Sequence, residues 1–152
     1  MILISHRGNL KGPNKEKENS PEYILKAAHC GYNVEIDVWH EKNNFFLGHD
    51  KPEYKISLEF LKNNLFWCHA KNISSLNLMI ENGIHCFWHQ GDDFTLTSNN
   101  FIWAYPSKHS QLPKKCINVM PEINSNFNIK KIVLEKEKYA GVCSDYIAYF
   151  KK

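Results

Sequence analysis

Short apolar runs recur along this chain at a spacing too tight for most of the helices that would join parallel strands. They are Ile2-Leu3-Ile4, Asn33 to His40, Leu65 to Lys71, Ile84 to His89, Phe94 to Thr97, Phe101 to Tyr105, Cys116 to Met120 and Gly141 to Ser144. A run that is apolar on both faces, such as Ile2 to Ile4, predicts a strand buried between two layers. The first runs alternate with helices. Ser20-Pro21 starts one, with serine as N-cap and proline at the first helical position, and Gly31 is placed to close it. Ser57 caps a brief helix around Leu58 and Leu61. Ser74 or Ser75 opens another, with Leu76, Met79 and Ile80 inward and a stop at Gly83. Strands alternating with helices predict an α/β fold, here a small TIM-type (β/α)8 barrel. Sharing 152 residues among eight strands leaves about 19 per unit, whereas such barrels take about 250 residues in all. The expected barrel is therefore reduced and helix-poor in its second half, where residues 129–138 predict one more helix and residues 146–150 a terminal helical turn. One domain over residues 1–152 is expected, and no repeat or linker interrupts it.

The length suffices for a real core, and a 43% hydrophobic, 13% aromatic composition argues against disorder. A net charge of +3, with lysines spread along the chain, is too mild and too dispersed for a nucleic-acid binder. The five cysteines, Cys30, Cys68, Cys86, Cys116 and Cys143, contain no Cys-x-x-Cys pair. Neither a disulfide framework nor a zinc ribbon fits them, and a reducing compartment does. No apolar segment approaches the length of a membrane span, and no signal peptide precedes the first strand. The expectation is a cytoplasmic protein without stable membrane insertion. Bare strand faces in so stripped a barrel also predict a homodimer.

Chemistry concentrates in three short clusters: His6-Arg7-Gly8, Glu35-Ile36-Asp37 and Gly48-His49-Asp50. In a strand, side chains at i and i+2 share a face. Glu35 and Asp37 therefore project together while Val34, Ile36 and Val38 pack on the other side. Paired carboxylates repel unless a cation or a shared proton lies between them, and a hard divalent cation takes oxygen ligands. His6 and His49 titrate near neutrality and can both take and give a proton. The guanidinium of Arg7 suits a phosphate oxygen, though an ion pair with Glu35 or Glu18 is the plainer alternative. On the third strand, Trp67, His69 and Lys71 share the face opposite Phe66, Cys68 and Ala70.

In order and separation, His6-Arg7-Gly8, Glu18-Asn19-Ser20, Glu35-Ile36-Asp37-Val38 and Gly48-His49-Asp50 resemble the opening third of the glycerophosphodiester phosphodiesterase family. That family belongs to the wider phosphatidylinositol-phospholipase-C-like superfamily. His69-Ala70-Lys71 and Cys143-Ser144-Asp145-Tyr146 extend the resemblance in outline. It implies a phosphodiester hydrolase that uses a divalent metal (Mg, Ca or Mn) and acts on a small glycerophosphodiester or related head group. His6 and His49 would be the acid–base pair, Arg7 and Lys71 would hold phosphate, and Glu35 and Asp37 would hold metal. Residue 69 departs from the family, which has a carboxylate there; His69 would either complete the metal set in its place, where imidazole suits Zn²⁺ or Mn²⁺ better than Ca²⁺, or bind no metal and leave the position to water. Glu18 would be a further carboxylate near the metal, and Asp50 would orient a neighbour. His89, Trp103 and Asp145 fall at strand ends, where barrel sites are built, whereas His29, His40, His85 and His109 lack partner spacing. Two other readings stay open: a phospholipase-C-like or sphingomyelinase-D-like lyase that forms a cyclic phosphate, and a non-catalytic relative that binds a phospho-ligand.

Overall fold

A computed structural model describes residues 1–105, 112–124, 126–134 and 137–151. His109, residues 135 and 136 of the helix expected over 129–138, and Lys152 lie outside them. The strands are β1 (Ile2–His6), β2 (Asn33–Glu41), β3 (Asn44–Leu47), β4 (Tyr54–Ile56), β5 (Phe66–Ala70), β6 (Cys86–Phe87), β7 (Phe94–Leu96), β8 (Ile102–Ala104), β9 (Cys116–Val119) and β10 (Gly141–Ser144). Among the described residues the α-helices are α1 (Pro21–His29), α2 (Leu58–Leu61), α3 (Ile73–Glu81) and α4 (Ile129–Leu134), with 3₁₀ turns at Pro121–Ile123 and Ile147–Phe150.

The ten strands form one curled, mixed sheet, and this corrects the expectation of a (β/α)8 barrel. Seven strands run parallel in the order β6-β5-β2-β1-β10-β9-β8. β7 joins antiparallel to β8, and the β3–β4 hairpin joins antiparallel to β2. The shortage of residues per strand explains the departure. Between β6 and β9 the linking segments hold no described helix, so β7 and β8 pair as a hairpin, which a short connection allows. Ser98, just past β7, donates its N–H to Cys86 O of β6 (2.8 Å) and accepts from Cys86 N (2.9 Å), so the sheet's two margins meet there.

Local signals set the early helices. Pro21 occupies the first turn of α1, and Ser57 Oγ accepts from Phe60 N at the start of α2. For α3 the cap is Asn72, whose side chain accepts from Ser75 N, in place of the expected Ser74 or Ser75. Ile80, expected inward, is 56% exposed. The helices cover the outer face: Ile24, Ala27, Ala28 and Met79 pack on Val34, Ile36, Val38, Cys68 and Ala70. Tyr32, Tyr139, Val142, Ile147 and Phe150 form a second outer cluster.

The concave face divides along the strands. Ile4, Trp67, Phe87, Trp103, Ile117, Val119 and Cys143 fill it with a dry aromatic and aliphatic layer. One pleat further toward the strands' C-terminal ends the same face turns polar, with His6, Asp37, His69 and Asp145. No described helix is long and apolar enough to cross a membrane.

Candidate functional site

Parallel pairing is what gathers the site. His6 lies in register with Glu35, and Asp37 with His69, so β1, β2 and β5 deliver their polar residues side by side. Glu35 is 2% exposed and Asp37 fully buried. With His69 they offer one ligand atom each, all within 4.8 Å of one another, and this group can hold a metal ion.

Hydrogen bonding around the group fits a cation. His69 Nε2 lies 2.8 Å from the His89 carbonyl oxygen, an acceptor, so that nitrogen carries the ring proton. Nδ1 then presents a lone pair when the ring is neutral, at 3.1 Å from Asp37 Oδ1 and 3.7 Å from Glu35 Oε1. A lone pair facing two carboxylates is repulsive unless a proton or a metal ion lies between them. Phe87 stacks on the His69 ring, with centroids 5.1 Å apart, and fixes its plane. Among the described residues Glu35 Oε2 is buried without a hydrogen-bond partner, as suits a ligand atom.

The two acids are not equivalent. Burial and the neighbouring Asp37 charge push the Glu35 carboxyl up, against the pull of His6, Arg7 and His69. Burial also acts to raise Asp37, but His69, Arg7 and Lys71 outweigh it and hold that carboxyl well below the usual carboxylate range. Arg7 Nε lies 2.9 Å and Lys71 Nζ 3.4 Å from Asp37 oxygens. Asn19 adds a two-point amide contact: its Nδ2 donates to Asp37 Oδ2 (2.8 Å), and its Oδ1 accepts from Asp37 N (3.0 Å). Arg7 Nη1 also reaches Glu18 Oε2 at 3.3 Å. Of the ion pairs anticipated for Arg7, the one with Glu18 forms, and the second partner is Asp37. Arg7 and Asn19 both hold left-handed backbone, φ 52° and 61°, a conformation asparagine tolerates better than arginine. The turn Arg7 makes continues through Gly8 (φ 93°), where a Cβ would sit 2.6 Å from the Tyr23 ring.

His6 is held by Asp145, whose Oδ1 accepts from Nδ1 at 2.8 Å. Its other nitrogen, Nε2, faces Glu35 Oε2 at 3.9 Å. Burial alone would lower the His6 pKa; the hydrogen bond to Asp145 and the Glu35 charge overcome it and raise the value above 6.5. Asp145 is shifted down, the opposing effect of its burial outweighed by His6, Asn9 and Arg7.

His49 stands apart. Its side chain is 44% exposed and pairs with Asp50, Nδ1 to Oδ1 at 2.7 Å, and none of the ion pairs among the described residues links it to the cluster. The residue before it is tied to β2: Gly48 N donates to Asp37 O (3.2 Å), and Trp39 Nε1 donates to Gly48 O (2.7 Å). His89 bonds Asp92 O and holds His69 through its own carbonyl, while Trp103 is core, 4.5 Å from the Phe87 ring.

Two residues of the site escaped the sequence. Asn9, fully buried, donates through Nδ2 to Glu18 Oε1 and Asp145 Oδ1, both at 2.8 Å. It lies in a polar stretch that reads as a solvated loop. Glu122 accepts from Ser144 Oγ and Asp145 N, both at 2.8 Å, and no pattern in the sequence singles it out. No family model, curated protein or solved structure matches this chain.

Proposed function

We propose that this protein is a metal-dependent phosphodiesterase acting on a small glycerophosphodiester or a related head group. The observation that carries the reading is the buried Glu35–Asp37–His69 group flanked by two cations and an aspartate-held imidazole. The motif resemblance supports it independently. Glu35, Asp37 and His69 Nδ1 would hold the ion, and the nitrogen in this set favours Mn²⁺ over Ca²⁺, with Mg²⁺ also acceptable. When bound, the ion supplies Lewis-acid charge neutralisation at a phosphoryl oxygen.

The chain's own groups do the rest. Asp145 keeps the proton on His6 Nδ1, so Nε2 is the nitrogen that takes or gives a proton at the reacting oxygen. Arg7 and Lys71 supply positive charge beside Asp37, where a phosphate would meet them. His49, one residue beyond the Gly48 anchor, is the second proton carrier. A cytoplasmic location accords with five free cysteines, four of them buried.

The test is phosphorus NMR of a glycerophosphodiester incubated with the purified protein and added Mn²⁺, Mg²⁺ or Ca²⁺. The expected product is a phosphate monoester, lost in His6→Ala and strongly reduced in His49→Ala. A cyclic phosphate would instead assign the attacking oxygen to the substrate's own hydroxyl. Absence of turnover with all three cations, or full activity in both variants, would overturn the proposal.

A further inference from the structure

Asp145 is fixed from both sides of its backbone, and one of the two anchors comes from a carboxyl group outside the metal cluster. Its carbonyl oxygen accepts from Gly12 N at 2.9 Å. Its N–H donates to Glu122 Oε1 at 2.8 Å, and the hydroxyl of the preceding Ser144 donates to the same oxygen at 2.8 Å. Ser144 Oγ in turn accepts from Tyr146 N at 3.0 Å. One carboxyl oxygen thus ties together three consecutive residues of the turn that follows β10.

The fold goes to some length to put it there. After β9 the chain reverses at Met120, a non-glycine residue with left-handed backbone (φ 47°), whose N–H is held by Cys143 O at 2.8 Å. Left-handed backbone at such a residue is strained and is held in place only by its surroundings. Pro121, buried, then starts the short 3₁₀ turn that carries Glu122. The second oxygen, Oε2, is buried and has no hydrogen-bond partner among the described residues. The bonds from Glu122's carboxyl to other described residues pass through Oε1, toward the residue that orients His6.

We infer that Glu122 is a positioning residue for the His6–Asp145 pair: Oε1 sets the backbone of Asp145 so that its carboxylate meets His6 Nδ1. This rests on the proposed proton-transfer role of His6, and Glu122's described hydrogen bonds go to Ser144 and Asp145, not to His6 or the metal ligands. Because one oxygen does the work, the amide oxygen of glutamine should replace it. A side chain of similar size without an acceptor should not, and neither should a carboxylate one methylene shorter.

The experiment compares Glu122→Gln, Glu122→Met and Glu122→Asp in the full chain. The first readout is the imidazole Nδ1–H resonance of His6 in nitrogen-edited NMR, assigned by its absence in His6→Ala. Glu122→Gln is expected to keep this resonance at its wild-type position, and Glu122→Met and Glu122→Asp to lose or displace it. Diester turnover should follow: kcat falls about ten- to hundredfold in Glu122→Met, as for a group displaced by about 1 Å, with KM and Mn²⁺ affinity within about twofold of wild type. Should Glu122→Met not fold, Glu122→Asp and Glu122→Gln still decide the matter. A wild-type resonance in Glu122→Asp, or its loss in Glu122→Gln, would overturn the inference. Absence of diester turnover in the wild type would sink the enzymatic reading alone, since the resonance reports the positioning by itself.

Discussion

At the scale of single residues, the molecule sorts its ionisable groups by what surrounds them. The concave face buries three acids, Glu35, Asp37 and Asp145, and matches them with Arg7, Lys71, His6 and His69. His85 is the contrasting case. It lies against Trp67, ring centroids 4.3 Å apart, its Nε2 is buried without a partner among the described residues, and burial lowers its pKa to about 4. An unfolded histidine takes up its proton near pH 6.5, so between about 6.5 and about 4 the unfolded chain binds more protons than the folded one. Stability contributed by neutral His85 is thus present above that window and is lost as pH falls through it. Allowing for the ring's partial contact with water, the loss is about 1–2 kcal/mol. His85→Phe keeps the stacking and removes the proton site. Urea unfolding at about pH 7 and about pH 4.5 should show a smaller drop for the variant than for wild type. Equal drops would show that His85 contributes nothing to acid sensitivity.

Among the elements, the β2–β3 hairpin does the most to shape the site's rim. Gly48, where β3 ends, has φ 148°, and a Cβ there would stand 2.1 Å from the Lys51 carbonyl oxygen. Only glycine passes this point, and its N–H is what ties the loop bearing His49 to the backbone of Asp37. Gly48→Ala must therefore move backbone, at a cost of at least about 2 kcal/mol. The expected outcome is a lower urea midpoint, together with faster hydrogen exchange at the Gly48 amide. An unchanged midpoint would mean that the loop rearranges freely and that His49 is not anchored as described. The loop between β1 and α1 has the complementary job. Asn9, Glu18 and Asn19 all turn inward from it, although eleven mostly polar residues read as a solvated connection.

For the molecule as a whole, some features were legible because they depend only on neighbours in sequence. The i, i+2 rule puts Glu35 and Asp37 on one face, and the same rule puts Trp67 and His69 there on β5; both hold in the structure. The proline-led start of α1 and the Ser57 cap of α2 are equally local. What the chain did not disclose is which strand pairs with which. The direction of β7 depends on a connection too short for a crossover, and the sheet's mixed character follows from that. The contacts of Asp145 with His6 and Asn9 span well over a hundred residues of sequence, and no periodicity encodes them. His49 follows the β2–β3 hairpin but is half exposed, because a motif fixes a residue's position along the chain and not its side-chain direction. Glu35, Asp37 and His69 together are proposed as one binding site for a divalent cation. Calorimetric titration with Mn²⁺ tests it most directly: one ion per chain should bind wild type, with affinity reduced about tenfold or more in Glu35→Gln, Asp37→Asn and His69→Ala alike. Wild-type protein that takes up no Mn²⁺, or an Asp37→Asn variant that binds it as well as wild type, would rule out a cation site at these three residues.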